Sequence, residues 1–178
     1  MSVKDSGLIH IYCGEGKGKT TCCVGLTVRA AGSGLAVLFL QFLKDGKSGE
    51  LNVLRGLHGV RVMDTVPVKK FSFQMTDEEK SAVQRDNSTL LRDAQEAVAG
   101  GDFDMLVLDE ILGAIEAGLL QEKLLLDFLR SKPEDLEVVL TGRTATPELT
   151  DIADYVSQVD KIKHPYDRGV RARKGIEF

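Results

Sequence analysis

The chain has 178 residues and a formal net charge of −4, with 23 Lys and Arg residues against 27 Asp and Glu residues. This length is sufficient for one α/β domain with a hydrophobic core, residues 1–178, and is short for two. The acidic balance argues against a nucleic-acid-binding surface, and the lack of a long apolar run or a signal-peptide pattern argues against a membrane protein.

The three cysteines, Cys13, Cys22 and Cys23, lie close together in the sequence. Their spacing is typical neither of a disulfide framework nor of a zinc site. We therefore expect a protein of the reducing cytoplasm, in which all three cysteines are small buried residues rather than nucleophiles.

The first predicted elements are a buried strand over residues 8–13 and a helix over residues 22–31. A segment rich in glycine and lysine joins them: Gly14, Glu15, Gly16, Lys17, Gly18, Lys19, Thr20 and Thr21. Glycines allow a tight turn that directs backbone N–H groups into one concavity, Lys19 adds a positive charge for phosphate oxygens, and the Thr20 hydroxyl can bind Mg²⁺. The order of strand, loop and helix favours a phosphate-binding loop for a nucleoside triphosphate over an ordinary glycine-rich turn.

The spacing within this loop departs from the common pattern. The usual arrangement, G-x-x-x-x-G-K-[ST], would place the first glycine at position 13, which is Cys13. Here the first glycine is Gly14, so we expect a loop that is one residue shorter.

Three further elements are predicted next: a strand over residues 35–40, a short helix after Ser48 and a strand over residues 60–63. Residues 66–74 fit no regular element. Thr76 and Glu79 then form a capping-box pattern that predicts the start of a long helix. A buried strand over residues 105–108 follows and ends at Asp109 and Glu110. Carboxylates in that place favour Mg²⁺ binding beside a phosphate loop, although acidic residues are also common at the start of a helix.

The last predicted elements are helical segments up to residue 129, a strand over residues 137–140, a helix from Pro147, a strand over residues 155–162 and a polar tail from about residue 163. The alternation of strands and helices predicts an α/β fold of the three-layer P-loop NTPase type, with a mostly parallel sheet and helices on both faces. Ligands of such sheets bind at the carboxyl ends of the strands. Arg143 follows one of these ends, so we expect it to be a phosphate ligand.

Several short motifs, taken together, resemble the ATP:corrinoid adenosyltransferases of the CobA/BtuR type. Besides the loop over residues 14–21, they are Arg29-Ala30-Ala31-Gly32, Gln41-Phe42-Leu43-Lys44, Leu108-Asp109-Glu110, Thr141-Gly142-Arg143, Lys163-His164, Gly169-Val170 and Gly175-Ile176-Glu177-Phe178. The resemblance extends from about residue 8 to the end of the chain.

The resemblance implies a RecA-like parallel sheet, a homodimer and a reductase that supplies electrons. It also implies that the Co(I) centre of a reduced corrinoid attacks the 5′-carbon of ATP, which binds in a reversed orientation, and that triphosphate leaves as one unit. The catalytic residues would then be Lys19 and Arg143, which neutralise the triphosphate together with Mg²⁺ on Thr20 and Glu110. Asp109 would lie in the outer shell of the metal or share it.

The resemblance further places Phe71 and Phe73 near the corrin face, where apolar bulk excludes the lower axial ligand and makes Co(II) easier to reduce. Ordinary packing is the alternative for both. His164 is expected to be a hydrogen-bonded structural residue rather than a cobalt ligand. Two other functions remain open: a conventional P-loop kinase or hydrolase, and a non-catalytic regulatory protein that binds a nucleotide or corrinoid.

Overall fold

A parallel sheet forms the centre of the protein in a computed structural model that describes residues 6–65, 67, 68, 70 and 72–177. The described part contains six strands, in the order β3-β2-β4-β5-β1-β6. Their bounds are Ile9–Cys13 (β1), Val37–Gln41 (β2), Val60–Val62 (β3), Met105–Asp109 (β4), Glu137–Thr141 (β5) and Tyr155–Gln158 (β6). All the strand pairs are parallel, which confirms the expected α/β class.

Helices cover both faces of this sheet. Their bounds are Lys19–Gly32 (α1), Gly49–Leu54 (α2), Asp77–Ala99 (α3), Ile111–Glu116 (α4), Glu122–Ser131 (α5) and Pro147–Ile152 (α6). Successive strand residues point to opposite faces, so β2 and β4 contribute to two separate cores. Phe39 and Val107 pack with α1 and α2, whereas Leu38 and Leu108 pack with α3 to α6. Because both faces are covered, β2, β4 and β5 are buried along their whole length.

Local signals in the sequence define several helix ends. The Thr76 hydroxyl accepts a hydrogen bond from the Glu79 N–H, and the Glu79 carboxylate accepts one from the Thr76 N–H, which confirms the capping box of α3. Thr146 caps α6 immediately before Pro147. No helix among the described residues is both long and apolar enough to cross a lipid bilayer.

Two predicted boundaries and one predicted burial are wrong. Helix α1 begins at Lys19 rather than residue 22, directly after the turn at Gly18, and β6 ends at Gln158 rather than residue 162. The three cysteines are free thiols, but only Cys13 and Cys23 are buried. Cys23 lies on the face of α1 that packs against the sheet. Cys22 is exposed because consecutive residues of a helix are rotated by about 100° from each other.

The segment after β6 is mostly irregular, as expected. It contains one 3₁₀ turn, Pro165–Arg168. His164 caps this turn, because its Nδ1 accepts a hydrogen bond from the Tyr166 N–H at 3.1 Å. The histidine therefore has the structural role that we expected.

The turn after β5 leaves no room for a side chain at Gly142. A methyl group there would lie 2.5 Å from Leu112 Cβ and 2.7 Å from the Gly113 nitrogen. We therefore expect Gly142→Ala to lower the free energy of unfolding by about 1–3 kcal/mol in urea titrations.

The matched control is Gly25→Ala, in the exposed part of α1, where nothing lies within 4 Å of the added methyl group. This control should raise the free energy of unfolding by about 0.5–1 kcal/mol, since alanine has the higher helix propensity. Equal effects of the two substitutions would show that the turn after β5 can move aside.

Candidate nucleotide-binding site

The loop between β1 and α1 is held against two neighbouring segments of backbone. The Gly14 N–H donates to the carbonyl of Arg143 at 2.7 Å, and the Gly16 N–H donates to the carbonyl of Val159 at 2.7 Å. A Cβ atom on Gly14 would lie 2.5 Å from the Val159 oxygen, and one on Gly16 would lie 2.7 Å from the Asp160 oxygen. Glycine is thus required at both positions by close packing.

The end of this loop is the start of α1. Gly18 has a φ of 123° and accepts the first bond of the helix, from the Cys22 N–H at 2.8 Å. The backbone N–H groups before Cys22 have no acceptor within the helix, as at any helix start. They form, with the helix dipole, an anion-binding surface of the kind expected from the sequence.

Lys19 folds back across the loop. Its Nζ donates to the Gly16 carbonyl at 2.8 Å. Because this acceptor is neutral, the ammonium can move to a phosphate oxygen without breaking an ion pair.

Asp109, the last residue of β4, is completely buried. Its Oδ1 accepts hydrogen bonds from the hydroxyls of Thr20 at 3.0 Å and Thr141 at 2.7 Å. Its Oδ2 accepts from Gln41 Nε2 at 3.1 Å and Lys44 Nζ at 2.8 Å. One carboxylate therefore connects the loop helix to the carboxyl ends of two other strands.

The strand register explains why Gln41 and Lys44 reach this carboxylate. Gln41 is the direct neighbour of Asp109 in the β2–β4 pair. The Phe42 N–H also donates to the Asp109 carbonyl, at 2.8 Å. Burial lowers the pKa of Lys44, but the charges and the hydrogen bond of Asp109, with the charge of Glu50, outweigh this and keep the pKa above its ordinary value. Asp109 therefore favours the charged form of Lys44.

Glu110 has an unusual backbone conformation. Its φ is 62°, in the left-handed region, and its N–H donates to Thr141 Oγ1 at 2.8 Å. Burial and the charge of Asp109 raise the pKa of its carboxyl, although Lys44, Lys19 and Arg143 act in the opposite direction. No hydrogen bond or ion pair within the described segments holds this carboxylate. It is therefore free to bind a ligand.

A cleft of about 1350 Å³ lies above these groups. Thr20 and Glu110 line it. Val24 and Val53 give it an apolar wall, and Ile176 of the C-terminal tail lines it as well. The volume and the mixed lining are suited to a molecule of nucleotide size.

The residues present fit Mg²⁺. Thr20 supplies a hydroxyl oxygen and Glu110 a carboxylate, which are the hard oxygen ligands that this ion prefers, and phosphate oxygens and water complete its coordination in nucleotide sites. Asp109 is saturated by five donors, the fifth being the Cys23 thiol at 3.6 Å from Oδ1, so it fits an outer-shell position better than a direct one. Within the described residues, no group of three or more His, Cys, Asp and Glu could hold a metal on its own.

Comparisons with known proteins decide the family. The model of the family "ATP:corrinoid adenosyltransferase BtuR/CobO/CobP" matches residues 5–178. The chain belongs to this family. The resemblance that we inferred from the sequence motifs is thereby confirmed, as is the assignment to the transferases.

Curated relatives agree over nearly the whole chain. Corrinoid adenosyltransferase CobA of Salmonella typhimurium is 31% identical over 176 residues, which are 98% of this chain and 87% of the relative. The corrinoid adenosyltransferases of Escherichia coli K12 and Pseudomonas aeruginosa are 30% and 29% identical, and the matches again cover 98% of this chain.

A solved structure supports the fold alone. ATPases 2 and 3 of Thermomonospora curvata EccC superpose with a TM-score of 0.52 at 17% sequence identity, over 94% of this chain and 33% of that one. The chain therefore spans about a third of the EccC chain.

Arg143 reaches the loop through its backbone. Its carbonyl holds Gly14, while its guanidinium is 68% exposed and lies 3.9 Å from Glu15 Oε2. The charge acts on Glu110 from a distance and partly opposes the rise in the pKa of that carboxyl. The structure brings Arg143 to the rim of the site, and its role as a phosphate ligand stays a prediction.

The expected aromatic pair is only partly described. Phe71 lies outside the described residues. Phe73 is in the 3₁₀ turn Ser72–Gln74 with 80% of its side chain exposed, which argues against core packing. Pro67 and Val68 of the same segment line the cleft.

Three residues that the sequence analysis did not assign to the site bond the Asp109 carboxylate: Gln41, Lys44 and Thr141. Each belongs to a motif that carried the family resemblance, and each follows or ends a strand at the carboxyl edge of the sheet. The signal was therefore present. The motifs alone do not give the strand register, which places Gln41 beside Asp109.

The Thr141 hydroxyl connects the Asp109 carboxylate to the backbone N–H of Glu110, so it is a specific test of the site. We expect Thr141→Val to lower the free energy of unfolding by about 1–3 kcal/mol, since the Asp109 carboxylate and the Glu110 N–H would each lose a buried partner. ATP binding, measured by calorimetry, should weaken as well.

Thr144→Val is the control, because its hydroxyl contacts only the exposed Glu116, at 3.2 Å, among the described residues. It should change stability by less than about 0.5 kcal/mol. If the Thr141 variant binds ATP as tightly as the control, the Thr141 hydroxyl does not organise the site.

Proposed function

We propose that this chain transfers the 5′-deoxyadenosyl group of ATP to the Co(I) centre of a reduced corrinoid and releases triphosphate. The observation that carries the proposal is the convergence of Lys19, Thr20 and Glu110 on one cleft of nucleotide size. Membership of the ATP:corrinoid adenosyltransferase family supports it.

The reaction needs charge neutralisation rather than a base. The electron pair of Co(I) forms the cobalt–carbon bond at the 5′-carbon, and the bond from that carbon to the α-phosphate oxygen breaks, so the electron pair leaves with triphosphate. Such a leaving group is stabilised by fixed positive charges and N–H dipoles. Lys19, the N–H groups at the start of α1 and, from the rim, Arg143 are the groups that we assign to this task.

Mg²⁺ would be held by the Thr20 hydroxyl and the Glu110 carboxylate, and when bound it supplies positive charge to the phosphate oxygens. Asp109 orients Thr20 through the hydrogen bond of 3.0 Å. Hydrogen bonds among α1, β2, β4 and β5 hold Thr20 and Asp109 before the substrate arrives, which reduces the cost of ordering Thr20 during the reaction.

Further parts of the proposal rest on the family resemblance. They are the reversed orientation of ATP on the shortened loop, a homodimer, a reductase that supplies electrons to the corrinoid, and a location in the cytoplasm. Phe73, with Phe71, is assigned to the corrin side of the site.

The identity of the products tests the proposal. The protein is incubated with ATP, Mg²⁺ and a chemically reduced corrinoid, with Lys19→Ala as the inactive control. We expect triphosphate together with a light-sensitive adenosylated corrinoid. ADP would instead indicate a conventional kinase or hydrolase, and the absence of turnover would indicate a regulatory protein.

The two carboxylates should respond differently to the loss of charge. Glu110→Gln should raise the Mg²⁺ concentration needed for half-maximal ATP binding more than Asp109→Asn does, because Glu110 faces the cleft as a direct ligand. Asp109→Asn should instead lower the free energy of unfolding by about 3–5 kcal/mol, since it breaks a buried ion pair with Lys44. The reverse order in the metal titration would assign the direct ligand to Asp109.

Phe73 should affect one step only. Phe73→Ala should leave ATP affinity unchanged and alter stability by less than about 0.5 kcal/mol, because the side chain is exposed. It should slow adenosylation when the corrinoid is supplied as Co(II), and chemically prepared Co(I) should restore the rate. Phe73→Leu, which keeps apolar bulk, should show a smaller defect. Equal losses in both assays, with a lower melting temperature, would place Phe73 in packing instead.

A further inference from the structure

The Lys44 ammonium is surrounded by side-chain oxygen atoms at the floor of the cleft. It donates to Asp109 Oδ2 at 2.8 Å and to Thr20 Oγ1 at 3.4 Å, and it lies 3.6 Å from Glu50 Oε1. The Thr20 hydroxyl donates its own hydrogen bond to Asp109. Lys44 therefore uses a lone pair of the same oxygen that we assign to Mg²⁺.

The side-chain oxygens of Asp109, Thr20 and Glu50 form a cage around the Lys44 ammonium. Gln41 connects the two carboxylates of this cage, those of Asp109 and Glu50. Its Nε2 donates both to Glu50 Oε1 at 2.8 Å and to Asp109 Oδ2 at 3.1 Å. Its Oε1 is buried and has no hydrogen-bond partner among the described residues. The reverse orientation of the amide would point this oxygen at two carboxylates, so the cage fixes the amide even though one polar atom is left without a partner.

The backbone before Lys44 has an uncommon conformation that supports the same placement. Leu43 has a φ of 58°, in the left-handed region that side chains other than glycine rarely adopt. The turn leaves Phe42 buried in the core and Lys44 bonded to Asp109. Such strain persists only where surrounding contacts hold it, and it is frequent at functional sites.

The other lysine of the site is held differently. Lys19 is bonded to a neutral carbonyl, that of Gly16, whereas Lys44 is paired with a buried carboxylate. A lysine on a carbonyl can leave for a phosphate without exposing an unpaired charge. Lys44 can release Thr20 but has to stay near Asp109, because an unpaired buried carboxylate is costly.

We propose that Lys44 is a tethered cation that holds Thr20 and Asp109 in place in the metal-free protein and competes with Mg²⁺ for the Thr20 oxygen. When Mg²⁺ and nucleotide bind, Lys44 releases Thr20 and keeps its bond to Asp109. It is a positioning residue, which acts through Thr20 and Asp109. The inference rests on the nucleotide site of the proposed function and is independent of the adenosyl transfer.

The test is a Mg²⁺ titration of ATP binding by calorimetry, without corrinoid. Lys44→Met removes the charge and keeps the length of the side chain. We expect the Mg²⁺ concentration for half-maximal binding to fall by about tenfold, since a charged hydrogen bond to Thr20 no longer competes. The melting temperature should fall in EDTA, and saturating Mg²⁺ and ATP should restore most of the loss.

Two more variants complete the experiment. Lys123→Met removes a lysine of α5 whose side chain is 79% exposed and which does not line the cleft, and it should leave the Mg²⁺ midpoint unchanged. Lys44→Gln removes the charge but keeps a hydrogen-bond donor for Asp109, so we expect it to fold even if Lys44→Met fails to do so. Its Mg²⁺ midpoint should fall as well. A midpoint that is unchanged or higher in the Lys44 variants would overturn the proposal.

The two hypotheses fail separately. If the Lys44 variants have a lower Mg²⁺ midpoint but the unaltered protein makes no adenosylated corrinoid, the role of Lys44 is supported and the adenosyl transfer is rejected. If the unaltered protein makes the product but the midpoint of the variants is unchanged, the transfer is supported and the role of Lys44 is rejected.

Discussion

A carboxylate at the end of a fully buried strand must be paired, and the pairing of Asp109 organises the nucleotide site. Five donors from different parts of the chain meet on its two oxygens, and two of them, Thr20 and Lys44, also face the cleft. An unpaired charge in this place would be far more costly than any single hydrogen bond contributes. One side chain therefore connects α1, β2, β4 and β5 at the carboxyl edge of the sheet.

The need to pair the buried Asp109 carboxylate also gives Asp109 and Glu110 different roles. Asp109 is saturated and buried, so it orients other groups, whereas the carboxylate of Glu110 faces the cleft without a hydrogen-bond partner among the described residues. The left-handed backbone at Glu110 produces this change of direction within one residue.

Much of the fold could be predicted, because its signals are local. Apolar runs identify strands buried on both faces, and the capping box of Thr76 and Glu79 identifies the start of α3. The phosphate-binding loop was recognisable since its glycines are demanded by close packing at Gly14 and Gly16. The position of Lys44 was not predictable in this way, because it depends on strand register and on a strained turn at Leu43. For Arg143, a place at a strand end correctly predicted proximity to the loop, but not that the carbonyl makes the contact and the guanidinium lies at the rim.

The loop is also attached to the outermost strand of the sheet. After β6 ends, the Val159 N–H donates to the Cys13 carbonyl at 2.8 Å, and the Val159 carbonyl accepts from Gly16. Strand β6 has a single neighbour, β1, and its residues are exposed, so it belongs to the part of the sheet that opens most easily. The conformation of the loop and the pairing of β6 with β1 are thus coupled. A ligand that fixes the loop also retains β6 in the sheet, and part of its binding free energy is used to suppress fraying at a place that the ligand does not touch.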